Sequence, residues 1–425
     1  MVHEIVIGRR REDLEKYGKE GTGFIGKHIV GKGEGAHLTV KVLMDFLRPH
    51  VVMVVGKRGS GKSYSGGVIA EEIALLPEEY RKNLCVVMID TMGIYWSMKY
   101  PNEAQMSLLN SWDLQPKGLE DKVKVYVPFK QFDEFKNAGI PVDFAVSVEP
   151  WRFDAEDWSL AFNLPRTSPQ AIALEKTINR LKERNERFLI PDIITEIRDD
   201  RDVDTHVKDA LENILTVANS WGVFGTEGIP IDQILRPGII NVFDVSRLRA
   251  TEAWSVRNLL VAILSRDIYQ KRVIARKQEE LARMGEIELK ERFPMVWLII
   301  DEAHNFIGAT EVTVSTSPLL TIVKQGREPG ISFVPMTQMP NKLHPEVIAQ
   351  TDLVISHRLT AKSDIDALHA VMQTYMREDL WKAIEAMPRW IGAAVVLDDN
   401  SERLYTVQIR PRFSHHAGEA AIATL

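Results

Sequence analysis

The chain has 425 residues, 45% hydrophobic and 26% charged, with 53 lysines and arginines against 59 aspartates and glutamates for a net charge of −6. This balance excludes disorder as a whole-chain description, because there is enough apolar surface to offset the entropy of ordering the chain. It also argues against a protein that coats nucleic acid with its whole surface. The single cysteine, Cys85, rules out an intramolecular disulfide framework and fits a reducing compartment. No apolar run reaches the roughly 18 residues of a membrane span. The N-terminus, MVHEIVIGRRRED, is too charged too early for a secretory signal. A cytoplasmic protein without membrane contact is expected, with its chemistry in local sites.

In chain order, residues 1–45 combine a short β-like run (His3 to Gly8), a charged stretch and Gly-rich segments, and predict a short β-rich N-terminal segment. Arg9, Arg10 and Arg11 form a basic run there, which predicts a solvated surface. Val51 to Val55 is an apolar run without polar relief, as in a strand buried on both faces of a parallel sheet. A glycine-rich turn, a helix from Lys62 towards Leu76 and a second buried strand, Leu84 to Ile89 ending at Asp90, complete a βαβ unit and predict an α/β fold. Between about 150 and 235 the apolar spacing of Ala171, Leu174, Ile178 and Leu181, and of Val207, Leu211 and Leu215, predicts helices inserted into that core. Buried-strand character returns at Gly238 to Asp244. A long helix is expected from about Ala250 to Met284, then strands at Met295 to Ile300, Ile331 to Met336 and Leu353 to Ser356. Length alone suggests two or three domains or one with insertions. The element order favours a segment 1–45, a core 46–412 carrying the helical insertion, and a tail 413–425.

Two motifs carry chemistry. Gly56-Lys57-Arg58-Gly59-Ser60-Gly61-Lys62-Ser63 satisfies the P-loop pattern, with a strand before it and a helix after it. The glycines let backbone N–H groups turn around phosphate oxygens at a helix N-terminus. Lys62 is expected to reach the β- and γ-phosphates of ATP, and Ser63 to ligate Mg²⁺. The run MVWLIIDEAH ends an apolar strand in two carboxylates. Asp301 suits the Mg²⁺ shell in the Walker B manner, and Glu302 suits a base for water attacking the γ-phosphate. A glutamate directly after the aspartate favours hydrolysis over transfer to a small molecule. The letters DEAH suggest a superfamily-two helicase, but Asp301 lies too far downstream of Lys62 for that group. His304 therefore reads as a local helix or packing residue.

Beyond Glu302, KQGREPG leads into the strand ISFVPM, which ends in Thr337 and Gln338. Gln338, at the tip of a strand beside the Walker B strand, is placed to sense the γ-phosphate. Arg327, before that strand, suits either a neighbouring subunit's γ-phosphate or a surface salt bridge, and the residues leave both open.

LRPHVVMVVGKRGSGKS, IIDEAHNF, KQGREPGISFVPMTQMP and DLVISHRL, in this order, resemble HerA-type ATPases of the HerA/FtsK superfamily over residues 40–412. The resemblance implies a RecA-like P-loop NTPase core, a mostly parallel sheet with flanking helices. It implies a hexameric ring that moves double-stranded DNA through a central pore by ATP hydrolysis, with a nuclease (NurA-like) or other effector in DNA processing or defence. By matching positions it gives Lys62 and Ser63 the nucleotide and Mg²⁺ roles, Asp301 and Glu302 those of Walker B and the base, Arg327 that of the arginine supplied to the neighbour, and Gln338 that of the sensor. Arg358, Arg410 and Arg412 are further candidates for inter-subunit or nucleotide contacts. HerA proteins carry a larger N-terminal β-barrel, so a reduced barrel or arm is expected of residues 1–45. The pore loops are expected between Asn305 and Pro318 or within the insertion. Trp151, Trp158 and Trp254 suit base stacking or, by default, burial. The competing expectation is a nucleotide-gated scaffold that recruits an effector without processive motion on DNA.

Overall fold

The buried strands expected from the apolar runs all form, and they join one sheet. The structure, a computed structural model, describes residues 4–31, 33–184, 187–229, 231–248, 256–289, 292–359, 362–369 and 377–418. Within these the strands are β1 (Ile5–Ile7), β2 (Thr22–Val30), β3 (His37–Asp45), β4 (Val52–Val55), β5 (Leu84–Asp90), β6 (Val123–Pro128), β7 (Phe144–Val146), β8 (Ile240–Asp244), β9 (Met295–Ile300), β10 (Ile331–Thr337), β11 (Leu353–His357), β12 (Ala393–Asp398) and β13 (Arg403–Ile409). They lie in the order β1-β3-β2-β13-β12-β11-β4-β10-β9-β5-β8-β6-β7. From β11 to β7 every neighbouring pair is parallel. The pairs linking β11, β12, β13, β2 and β3 are antiparallel. This is an α/β fold of the RecA-like P-loop NTPase kind.

Side-chain alternation assigns the two faces of the sheet. Met53, Val55, Cys85, Val87, Leu298 and Ile300 point to one face and pack with the helices of the insertion. Val52, Val54, Val86, Met88, Trp297 and Ile299 point to the other, where the helix Lys62–Leu75 lies. Cys85 is fully buried, and burial pushes its thiol up to about 12.

The insertion is helical for local reasons as well as for packing. Ser168 caps the helix Pro169–Glu183 by accepting the Ala171 N–H at 3.2 Å, with Pro169 at the first helical position. Asp154 and Asp157 form a capping box on Ala155–Ala161. The apolar positions read from the spacing, including Leu174, Ile178, Leu211 and Leu215, are all buried. Trp158 is buried in this cluster and Trp151 packs against it, whereas Trp254 lies outside the described residues. The long helix runs Val256–Arg283, and residues 250–255, expected as its start, also lie outside them.

Residues 1–45 do not stand apart: β2 pairs with β13 and continues the core sheet. The basic run is not wholly a solvated surface. Arg10 and Arg11 are exposed, but Arg9 is 4% exposed and pairs with Asp45 at 2.7 Å. A lone buried carboxylate at the end of β3 would be costly, and the guanidinium offsets that cost. His50 lies between Asp45 (3.4 Å) and Asp352 (2.6 Å), so this polar knot ties the N-terminal strands to the segment entering β11.

Arg410 and Arg412 are corrected by the structure as candidates for inter-subunit or nucleotide contact. Both are fully buried inside the protomer. Arg410 reaches Glu71 at 2.8 Å and Glu72 at 2.7 Å, Arg412 reaches Glu71 at 3.3 Å, and the backbone N–H groups of Phe413 and Ser414 also donate to Glu71. Residues 413–418, read as the start of a tail, are thus packed against the helix Lys62–Leu75.

Candidate nucleotide-binding and hydrolysis site

Register brings the chemistry to one edge of the sheet. Val55 pairs with Thr337 of β10 and Ser356 of β11, so Gly56, Gln338 and His357 emerge side by side. Ile89 pairs with Ile300 and Asp90 with Asp244, so Asp90, Asp244 and Asp301 end their strands at the same level. In a parallel sheet this carboxyl edge is where ligands bind.

The phosphate loop is held at its entry by both neighbouring strands. The Gly56 N–H donates to the Thr337 carbonyl at 3.3 Å and the Lys57 N–H to the Arg358 carbonyl at 3.1 Å. Gly59 (φ +74°) and Gly61 (φ +115°) take backbone conformations that side chains disfavour. A Cβ on Gly56 would overlap Ser60 and stand 2.6 Å from Cβ of His357. Glycine is therefore required here by space as well as by conformation. His357 is a strut beneath the loop. Its Nδ1 donates to the Ala393 carbonyl at 3.0 Å, so its Nε2 accepts the Ser65 hydroxyl at 2.8 Å. Burial lowers the imidazole to about 4, and it stays neutral.

Lys62 is 6% exposed, and its ammonium donates to the Lys57 carbonyl across the loop at 3.4 Å. Burial lowers its pKa, opposed by Glu302 and Asp301. Asp301 is 1% exposed. Burial and then Glu302 push it up to about 6, against Lys62, the Glu302 N–H and Ser63. The Ser63 hydroxyl stands 3.5 Å from Asp301 Oδ2. Two hard oxygens at that separation fit one small divalent cation at about 2.1 Å from each. Among the described residues no group of three or more His, Cys, Asp or Glu forms an all-protein metal site. Mg²⁺ takes one or two protein oxygens and completes its shell with phosphate and water, and Ser63 and Asp301 offer two such oxygens.

Glu302 sits in the left-handed region (φ +48°, ψ +48°), a strained conformation for a non-glycine residue. Its Oε2 is buried with no hydrogen-bond partner among the described residues. Burial raises its pKa, opposed by Lys62 and the Gln338 N–H. A partly desolvated carboxylate beside the phosphate loop, with one oxygen free of hydrogen bonds among the described residues, suits a water-activating base. His304 is more than packing: Nδ1 lies 2.9 Å from the Thr337 hydroxyl and 3.5 Å from Glu302 Oε2, joining the Walker B turn to the tip of β10.

The sheet thus brings together residues 56–63 with Asp301, Glu302 and Gln338. It does not bring Arg327 to them. Arg327 is exposed in the connection entering β10, whereas Gln338 follows the strand's last residue. Seven strand residues span about 23 Å, so Arg327 faces the opposite edge of its own subunit. Two contributors were not singled out from sequence. Asp90 accepts N–H bonds from Met92, Gly93, Ile94 and Tyr95, while burial and then Asp244 push it up to about 8. His357 was the other. Their signal, a polar residue closing a buried strand, was present in both cases.

The fold and this site define a P-loop NTPase whose glycine-rich loop leaves β4 and whose carboxylate pair leaves β9, with β10 between the two strands. Residues 24–268, more than half of the chain, match the family described as helicase HerA, central domain. The chain belongs to that family and is accordingly an ATPase. It is 24% identical over 371 residues to a probable DNA double-strand break repair helicase HerA of Methanocaldococcus jannaschii, covering 80% of this chain and 67% of that protein. The DNA double-strand break repair helicase HerA of Sulfurisphaera tokodaii is 22% identical, with 91% of this chain and 68% of that one covered. The chain thus spans about two thirds of the length of each. Among solved structures, VirB4 of Thermoanaerobacter pseudethanolicus aligns over 92% of this chain and 97% of its own, at a TM-score of 0.52 and 13% identity, a likeness of fold. No helix among the described residues is long and apolar enough to cross a membrane.

Proposed function

We propose that the protein is an ATP-driven motor on double-stranded DNA, working as a ring of identical subunits, with a nuclease or other effector as its partner. The observation that carries the reading is the approach of Ser63 to Asp301 beside the half-buried carboxylate of Glu302, whose Oε2 has no hydrogen bond among the described residues. Residues 56–61 wrap the phosphates with backbone N–H groups, and Lys62 meets the β- and γ-phosphates. Ser63 and Asp301 would hold Mg²⁺, which supplies charge neutralisation on the phosphate oxygens. Glu302 takes the proton of the attacking water, and Gln338, whose N–H faces Glu302, senses the terminal phosphate. Arg327 acts on the neighbour's nucleotide, since its own lies at the other edge of the sheet. The 22–24% identity to proteins named as double-strand break repair helicases supports DNA as substrate.

The test is DNA-stimulated ATP hydrolysis. Wild type is expected to hydrolyse ATP faster with duplex DNA. Glu302→Gln is expected to bind ATP normally and lose about two to four orders of magnitude in kcat. No hydrolysis by wild type, with or without DNA, overturns the reading.

A further inference from the structure

Strand order gives a bound nucleotide a direction. Asp301 and Glu302 leave β9, two strands from β4 on one side. The connection entering β12 stands two strands from β4 on the other side. Because β12 is antiparallel to β11 and pairs Ala394 with His357, its first residue lies at the same edge as the phosphate loop. A triphosphate whose terminal phosphate faces Glu302 therefore carries its nucleoside towards residues 390–392.

The last of these residues, Gly392, touches the loop, and all three are fixed in place. The Gly392 N–H donates to the Ser60 carbonyl at 3.4 Å, and the Gly392 Cα lies 3.3 Å from where a Cβ on Gly61 would stand. Three successive carbonyls are tied: Trp390 to the Ala393 N–H at 3.2 Å, Ile391 to Gln408 Nε2 at 2.9 Å, and Gly392 to the Ile409 N–H at 3.1 Å. Yet the two apolar side chains on this rigid turn face outward, Trp390 41% and Ile391 83% exposed. A held backbone presenting an exposed aromatic and an exposed aliphatic side chain, continuous with a phosphate site, has the form of a stacking platform.

We propose that Trp390 and Ile391 form the apolar wall that receives the nucleobase of ATP, a proposal that rests on the ATPase reading of the phosphate loop. Stacking on Trp390 acts on the base alone, so it separates nucleotide affinity from phosphate affinity.

The test is calorimetric titration of the full chain with two probes in the presence of Mg²⁺, a non-hydrolysable ATP analogue and inorganic tripolyphosphate. Trp390→Ala is expected to weaken the analogue by about tenfold or more while leaving tripolyphosphate unchanged, and Trp390→Phe to keep most of the analogue's affinity. Three results overturn the proposal. In the first, Trp390→Ala binds the analogue as wild type does. In the second, Trp390→Ala and Trp390→Phe both lose the two probes equally. In the third, Trp390→Ala dissociates the assembly with analogue affinity intact, making the turn a subunit contact. Wild type that binds neither probe overturns the ATP reading itself, and this proposal with it.

Discussion

Several side chains of the site are held in states they would not adopt alone. Glu302 has a left-handed backbone and a buried oxygen without a hydrogen bond among the described residues, and Lys62 is desolvated near two carboxylates. Such strain persists only where the surroundings over-determine it. The surroundings here include His357, which joins the phosphate loop through Ser65 to the entry of β12 through Ala393. Removing it leaves the Ser65 hydroxyl and the Ala393 carbonyl unsatisfied in the interior, at about 1–3 kcal/mol each. His357→Ala is therefore expected to raise the KM for ATP by about five- to tenfold with a smaller change in kcat. Because His357 titrates at about 4, this difference is expected to stay constant from pH 6 to 8. Steady-state kinetics across that range check both points. At this scale the phosphate loop and the carboxylate pair at the end of β9 were legible from sequence, since glycine spacing and adjacent carboxylates are local patterns. The role of His304 was not, because Thr337, its partner, is distant in the chain.

At the scale of elements, the knot of Arg9, Asp45, His50 and Asp352 joins the N-terminal strands to the core. Burial lowers the His50 pKa, but Asp352 and then Asp45 outweigh it and raise the group from 6.5 to about 10. A folded-state value above the unfolded one means that charged His50 stabilises the fold. The contribution is full below pH 6.5 and is lost as pH rises through about 10. His50→Gln is accordingly expected to lower Tm most near pH 6, and the gap from wild type to close as pH approaches 10. Thermal melts of both proteins across that range decide it. The buried strands were readable element by element because they are hydrophobic on both faces. Less obvious were β12 and β13, and the pairing of β2 with β13, which rests on contacts between the two ends of the chain.

For the whole molecule, the placement of Arg327 matters most. It stands at the edge of the sheet away from its own phosphate loop, exposed in the connection that enters β10. An arginine so placed serves hydrolysis only through another subunit. Mixing Arg327→Ala with Lys62→Ala subunits, each inactive alone, is therefore expected to restore a measurable fraction of wild-type ATPase activity. A mixture as inactive as its components assigns Arg327 a surface role.

By itself, the sequence determined the α/β class, the glycine-rich phosphate loop, the adjacent carboxylates that close β9 and the helical character of the insertion. Each is written in short-range spacing: two-faced apolar runs, a glycine pattern, apolar positions every three or four residues. Tertiary structure alone decided that Arg410 and Arg412 neutralise Glu71 and Glu72 inside the protomer, that Arg9 is buried, and that Gly392, next to the exposed Trp390 and Ile391, meets the phosphate loop. A charged or aromatic residue carries no local mark of its partner. Its burial and its neighbours are set by strand order and register, and these become definite only once the whole sheet has closed.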